Sequence, residues 1–184
     1  MSREGRRVSE GTLSHKHQEL IRELGVKLKT PEQVTPPPGL ATGWAELDRF
    51  LLWHGFPKSA LTLMVSEAGG ATTLWTQSAA RVTAAGQWVA WIGDGEAMLT
   101  PWSLRHRGVD LSKLLWVSQP ADAKQLLWAL QELMSLGLFE MIGCDLGSVR
   151  LREHQILKLK KLALRYGVAV VLNTRARGIL KSPF

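Results

Sequence analysis

Five short, largely apolar runs punctuate the chain: LTLMV at 61–65, QWVAWI at 87–92, LLWV at 114–117, FEMIGC at 139–144 and VAVVL at 168–172. Between them lie stretches with helical spacing, at 72–85, around 101–107, at 122–136 and at 151–166. Strands that are apolar on consecutive residues have both faces buried, and strands separated by helices pair in parallel. The chain is therefore expected to form an α/β domain, a mostly parallel sheet flanked by helices, with right-handed crossovers. Such sheets take their ligands beyond the carboxyl ends of the strands. Those ends are 66–72, 93–96, Asp145 and Asn173.

The sequence ahead of the first run has a different character. Residues 1–12 (MSREGRRVSEGT) are polar and charged and are expected to be a flexible basic arm. Over 13–30, Leu13, Leu20, Ile21, Leu24 and Leu28 fall on one face of a helix, with Ser14 as a cap. His15 and His17 do not share a helix face, so no metal site is expected there. Leu20, Ile21, Leu24 and Leu28 are candidate interaction residues, for a partner, for a second copy of the chain or for their own domain. Four prolines between 31 and 38 make an extended linker, after which the core is expected at 39–174 and a basic tail at 175–184.

Charge narrows the partners. The chain has 184 residues, enough for one domain with a real core, and a formal net charge of +7, which favours DNA, RNA or an acidic protein surface. The single cysteine, Cys144, permits no internal disulfide, and no His/Cys cluster has metal-ligand spacing. No apolar stretch reaches the length of a membrane span, and the N-terminus lacks the apolar core of a signal peptide, so a cytoplasmic protein is expected. Eight tryptophans stand out. Trp88, Trp91, Trp116 and Trp128 sit in strand or helix patterns and are expected in the core; Trp44, Trp53, Trp75 and Trp102 lie nearer strand ends and loops, where an exposed indole marks an interface.

The segment VSEAGGATTL, 65–74, occupies the strand-to-helix junction where a phosphate-binding loop belongs. In G-x-x-x-x-G-K-[ST], glycines let backbone N–H groups cradle phosphates, lysine reaches the β- and γ-phosphates, and the hydroxyl holds Mg²⁺. Here Gly69, Gly70, Thr72 and Thr73 are candidate remnants of that cradle. Val65 stands at the first glycine and Ala71 at the lysine. Backbone amides at a helix N-terminus still hold an anion weakly. No cofactor is expected beyond such weak ATP–Mg²⁺ contact. In the bland reading, Thr72 and Thr73 simply start a helix, Asp145 caps the turn after its strand, Asn173 satisfies a strand-end backbone group and Cys144 is a small core residue.

Read in order, these segments resemble the RecA recombinase core. TGWAELD resembles the lead-in to the first core strand, SEAGGATTL takes the Walker A position, and DGEAMLTP resembles the segment with RecA's catalytic glutamate, here Glu96. RGVDLSKLLWVSQP resembles a GVD-x-x-x-LL-x-SQP stretch, MIGCD the Walker B strand ending in Asp145, and VVLNT the strand before the second DNA loop, with Thr174 replacing its glutamine. The resemblance implies a RecA-like P-loop NTPase-type core; with Ala71 in place of the lysine, Glu96 and Asp145 are expected to be catalytic relics and efficient ATP hydrolysis is not expected. The short span from Asp145 to Asn173 and the few residues after it imply no RecA-type DNA groove.

Further wording, WHGFPKSALTLM, WVAWIGDGEAMLTPWSL and DAKQLLWALQELMSLG, is similar to the ImuA family of RecA-derived accessory proteins in damage-induced translesion synthesis. That family implies an adaptor binding an ImuB-like inactive Y-family polymerase homologue, with RecA and an error-prone DnaE-type polymerase as further partners. Two alternatives stay open: a SulA-like cell-division inhibitor, and a divergent ATPase borrowing Lys58 or Lys113. Weak, nonspecific DNA contact has its candidates in the stripe His154, Lys158, Lys161 and Arg165 and in Arg175, Arg177 and Lys181 of the tail, the bland reading being a solvated helix face.

Overall fold

The computed structural model describes residues 39–66, 70–93, 99–118, 120, 122–147 and 149–174. All belong to one compact unit, Pro36–Phe184. The arm, the N-terminal helix with Leu20, Ile21, Leu24 and Leu28, the linker, and the tail with Arg175, Arg177 and Lys181 lie outside the described residues, as do Glu67, Gly69 and Glu96.

The chain enters through a two-residue strand β1 (Gly39–Leu40), a one-turn helix α1 (Ala45–Phe50) and a second short strand β2 (Phe56–Pro57), with β1 and β2 antiparallel. Alternating strands and helices follow: β3 (Ala60–Val65), α2 (Ala71–Ala84), β4 (Trp88–Ile92), α3 (Pro101–His106), a 3₁₀ turn (Leu111–Lys113), β5 (Leu114–Val117), α4 (Ala123–Ser135), β6 (Phe139–Asp145), α5 (Glu153–Tyr166) and β7 (Ala169–Thr174). The five longer strands pair in parallel in the order β3-β7-β6-β4-β5. The expected α/β architecture is what forms, each long element starting or ending within two residues of the position read from the sequence. The entry segment was not foreseen as structure: α1 buries no residue, so it has no apolar stripe to announce it.

Period-two alternation distributes the central strands between two cores. Val89 and Trp91, Met141, and Ala169 and Val171 face α2 and α3, joining Trp75, Ala79 and Leu104. Ala90 and Ile92, Ile142 and Cys144, and Val170 and Leu172 face α4 and α5, joining Leu127, Leu130, Leu159 and Ala163. On the first side Trp75 and Trp91 meet with ring centroids 4.7 Å apart and planes tilted by 59°. Gly143 makes that pair possible, because a Cβ there would overlap both indoles.

The helices start where local chemistry says they should. Thr100 Oγ1 accepts from the Ser103 N–H at 3.1 Å and Ser103 Oγ accepts from the Thr100 N–H at 3.0 Å, with Pro101 at the first helical position. Asp122 Oδ1 accepts from the Gln125 N–H at 2.7 Å to open α4.

Candidate functional site

The connection leaving β4 runs through α3 on one face of the sheet, and that leaving β6 runs through α5 on the other. Between those adjacent strands lies the switch point where doubly wound sheets open a crevice. Backbone bonds stitch this edge together: Ser66 N–H to Thr174 O at 3.0 Å, Leu146 N–H to Asn173 O at 2.8 Å, and Gly93 N–H to Val117 O at 3.1 Å. Gly93 has φ 148°, and a Cβ there would come within 2.8 Å of the Asp145 Cβ. Only glycine lets β4 turn away so close to that side chain.

The parallel register sets Asp145 directly across from Asn173. Asp145 Oδ1 accepts from the Gly147 N–H at 3.0 Å and so closes the turn after β6, the bland role read from the sequence. Asn173 departs from its expected role. Its main-chain oxygen serves the strand end, while the residue is 5% exposed and its side chain has no hydrogen-bond partner among the described residues at either Oδ1 or Nδ2. A buried amide without a partner is uncommon, and this one lies at the edge where such a sheet would receive a polar ligand.

At the end of β3, Gly70 adopts φ 95° and stands at the N-cap of α2 without a side-chain cap. Ala71 is the first helical residue and only 9% exposed, so the position that would carry an ammonium holds an inward methyl. Thr72 and Thr73 follow, half-buried, and the Thr72 C=O accepts from Thr76 Oγ1 at 2.7 Å. Gly70, Thr72 and Thr73 thus share the carboxyl edge of the sheet with Asp145 and Asn173. Among the described residues no group of His, Cys, Asp or Glu is arranged to hold a metal ion.

The two lysines considered as substitutes are elsewhere. Lys58 precedes β3 and pairs with Glu140 at the start of β6. Lys113 precedes β5, its Nζ 5.1 Å from the ring centroid of Trp88 at the start of β4. Both mark the opposite end of the sheet, about 20 Å away for a six-residue strand. The basic stripe is likewise separate: His154, Lys158, Lys161 and Arg165 are exposed along α5, which runs back toward that opposite end.

Two tryptophans are corrected by the fold. Trp75, read as near a loop, is fully buried, whereas Trp128, read as core, is 64% exposed. The core line of α4 runs through Leu126, Leu127, Leu130, Leu133 and Met134, and position 128 points away from it. Trp44 and Trp102 are exposed, at 49% and 79%. Leu157 and Leu164, on the outer side of α5, were not singled out in the sequence, although their place off the core stripe was visible in the helical spacing.

With this geometry in view, the comparison with known proteins is informative. The profile of the RecA N-terminal domain matches residues 17–153. The chain belongs to the RecA N-terminal domain family. RecA proteins of Thermotoga petrophila and Thermotoga maritima are 32% identical to it over 114 residues, 61% of this chain and 32% of theirs. The chain thus spans about a third of the length of those RecA relatives. Among solved structures, SulA from Pseudomonas aeruginosa superposes with a TM-score of 0.50 at 21% identity, covering 62% of this chain and 96% of SulA. That likeness is one of fold. Ala71 is what this member of the family presents at the start of the helix after β3.

Proposed function

We infer that this RecA-family chain works as a non-catalytic adaptor in DNA-damage-induced translesion synthesis, a cytoplasmic scaffold that docks an ImuB-like polymerase homologue and, through further contacts, RecA and an error-prone polymerase. The observation that carries the reading is Ala71, a buried methyl at the first position of the helix after β3, behind Gly70 at its N-cap. A hydrogen bond to a charged group contributes roughly 1.5–3 kcal/mol. Its loss corresponds to about ten- to a hundred-fold in nucleotide affinity. Removing a donor aimed at developing charge lowers turnover by a further factor on the order of 10²–10³. What remains useful is a packed sheet with exposed side chains for partners to read. The ImuA-like wording between residues 53 and 137 supplies the biological setting.

The test is a pull-down of the cognate ImuB-like protein at physiological salt, with ATP turnover measured alongside. Retention of the partner with no phosphate release above background is expected. Absence of binding would remove the adaptor reading, and turnover abolished by Glu96→Gln would replace it with that of a divergent ATPase. A SulA-like division inhibitor is the competing non-catalytic reading, drawn from shared fold and ancestry. It predicts filamentous cells on overexpression, which the adaptor does not.

A further inference from the structure

Helix α5 carries its core residues, Leu159 and Ala163, on one side, with Ile156, Leu162 and Tyr166 half-buried beside them. Its opposite side is mainly cationic, with Glu153 in the first turn the one acid of the helix. Lys158, Lys160, Lys161 and Arg165 are all exposed, and none of the three lysines makes an ion pair with a described residue. An ordinary solvated face would be polar throughout, and this one is not. Leu157 and Leu164 are 50% and 70% exposed. Seven residues apart, they fall within ~20° of each other around the helix. Their ridge lies roughly 130° from the Leu159–Ala163 line and is bracketed by Lys160 on one side and Lys161 on the other.

Apolar side chains are also exposed on the strand that α5 packs against. α5 packs on β3, which lies at one edge of the sheet among the described residues. Leu63 and Val65 of β3, exposed at 42% and 48%, share the parity of Leu61, which packs into the α5-side core.

We propose that the outward face of α5 docks an acidic amphipathic helix of a partner protein, whose apolar positions cover Leu157 and Leu164 and whose Asp and Glu residues flank them to meet Lys158, Lys160, Lys161 and Arg165. The cations select an anionic partner, and the leucines decide which kind. Phosphate backbones are met by rows of Lys and Arg, and single strands stack on exposed aromatic rings. The centre of this face offers aliphatic carbon instead, and Tyr166 is turned toward the core. An apolar centre with a charged rim is the anatomy of a protein interface. A second copy of the chain docking through the same face would set like charges against each other. The docking face deepens the scaffold reading by naming the chemistry of one partner.

The measurement is fluorescence anisotropy with the full chain in the absence of nucleotide. The probe is a labelled three-heptad peptide with leucine at its apolar heptad positions and glutamate around them. A scrambled peptide of the same composition and an oligo-dT of matched net charge serve as comparisons. The ordered peptide should bind about ten-fold tighter than the scrambled one. Leu157→Ser with Leu164→Ser should abolish that preference while leaving oligo-dT binding unchanged, and Lys160→Ser with Lys161→Ser should weaken both. Circular dichroism melts verify the fold, and the single Leu157→Gln, a good helix former at a half-exposed site, gives the same readout should the double variant melt early. Equal affinity for ordered and scrambled peptides, or an ordered-peptide affinity untouched by the leucine changes, would overturn the proposal. So would oligo-dT affinity that falls with the leucines, which would make the face a nucleic-acid site. The peptide result is independent of the ImuB-like pull-down, so failure of one is distinguishable from failure of the other.

Discussion

At the scale of single residues, small side chains carry the argument. Gly143 lets Trp75 and Trp91 meet in the core, so Gly143→Ala forces one indole out of place. A loss of ~1–3 kcal/mol is expected from such overpacking, read as a lower urea midpoint with unchanged slope. Cys144 lies fully buried, and burial, helped by the neighbouring Asp145 charge, pushes its thiol well above the ordinary range. Because the thiolate is the reactive form, an aromatic disulfide reagent should leave native protein untouched and titrate one thiol after unfolding. Ala71→Lys returns an ammonium to the helix start and should tighten a fluorescent ATP analogue by about ten- to a hundred-fold. No gain would show that the junction, with Val65 at the first glycine position, excludes phosphates for a reason other than the missing charge.

Elements differ in how openly they announce themselves. The long strands were legible because a strand buried on both faces must be apolar on consecutive residues, and β4, β6 and β7 are buried almost throughout. Edge strands β3 and β5 are only partly covered, yet their sequences read the same, so nothing local distinguished edge from centre. Trp128 was misread for a related reason: an aromatic inside a helical pattern looks like core until the angle of the core line is known. The short helix α3 depends on its reciprocal cap more than on burial, since only Leu104 is buried. Thr100→Ala should therefore cost ~0.5–2 kcal/mol, visible as an earlier thermal transition.

For the molecule as a whole, net charge and fold pull toward different partners. A +7 chain attracts polyanions at long range, so weak DNA binding that is indifferent to sequence and fades as salt rises is expected in a filter-binding titration. Tight binding insensitive to salt would contradict it. Directed assembly needs more than charge, and on α5 two exposed leucines stand among the cations. This member of the RecA N-terminal domain family keeps the sheet and its two cores, with Ala71 at the start of the helix after β3.

By itself the sequence determined which of the longer segments from residue 60 onward become strands and helices, that the cationic stripe of α5 forms one helix face, and that an ammonium is missing at Ala71. These follow from periodicity and residue chemistry over a few neighbouring positions. Only the tertiary structure decided the order β3-β7-β6-β4-β5, the placing of Asp145 across from Asn173 and against Gly93, the burial of Trp75 over Gly143, and the removal of Lys58 and Lys113 to the far end of the sheet. Those juxtapositions join residues far apart along the chain, and their free energy comes from packing that no local window contains.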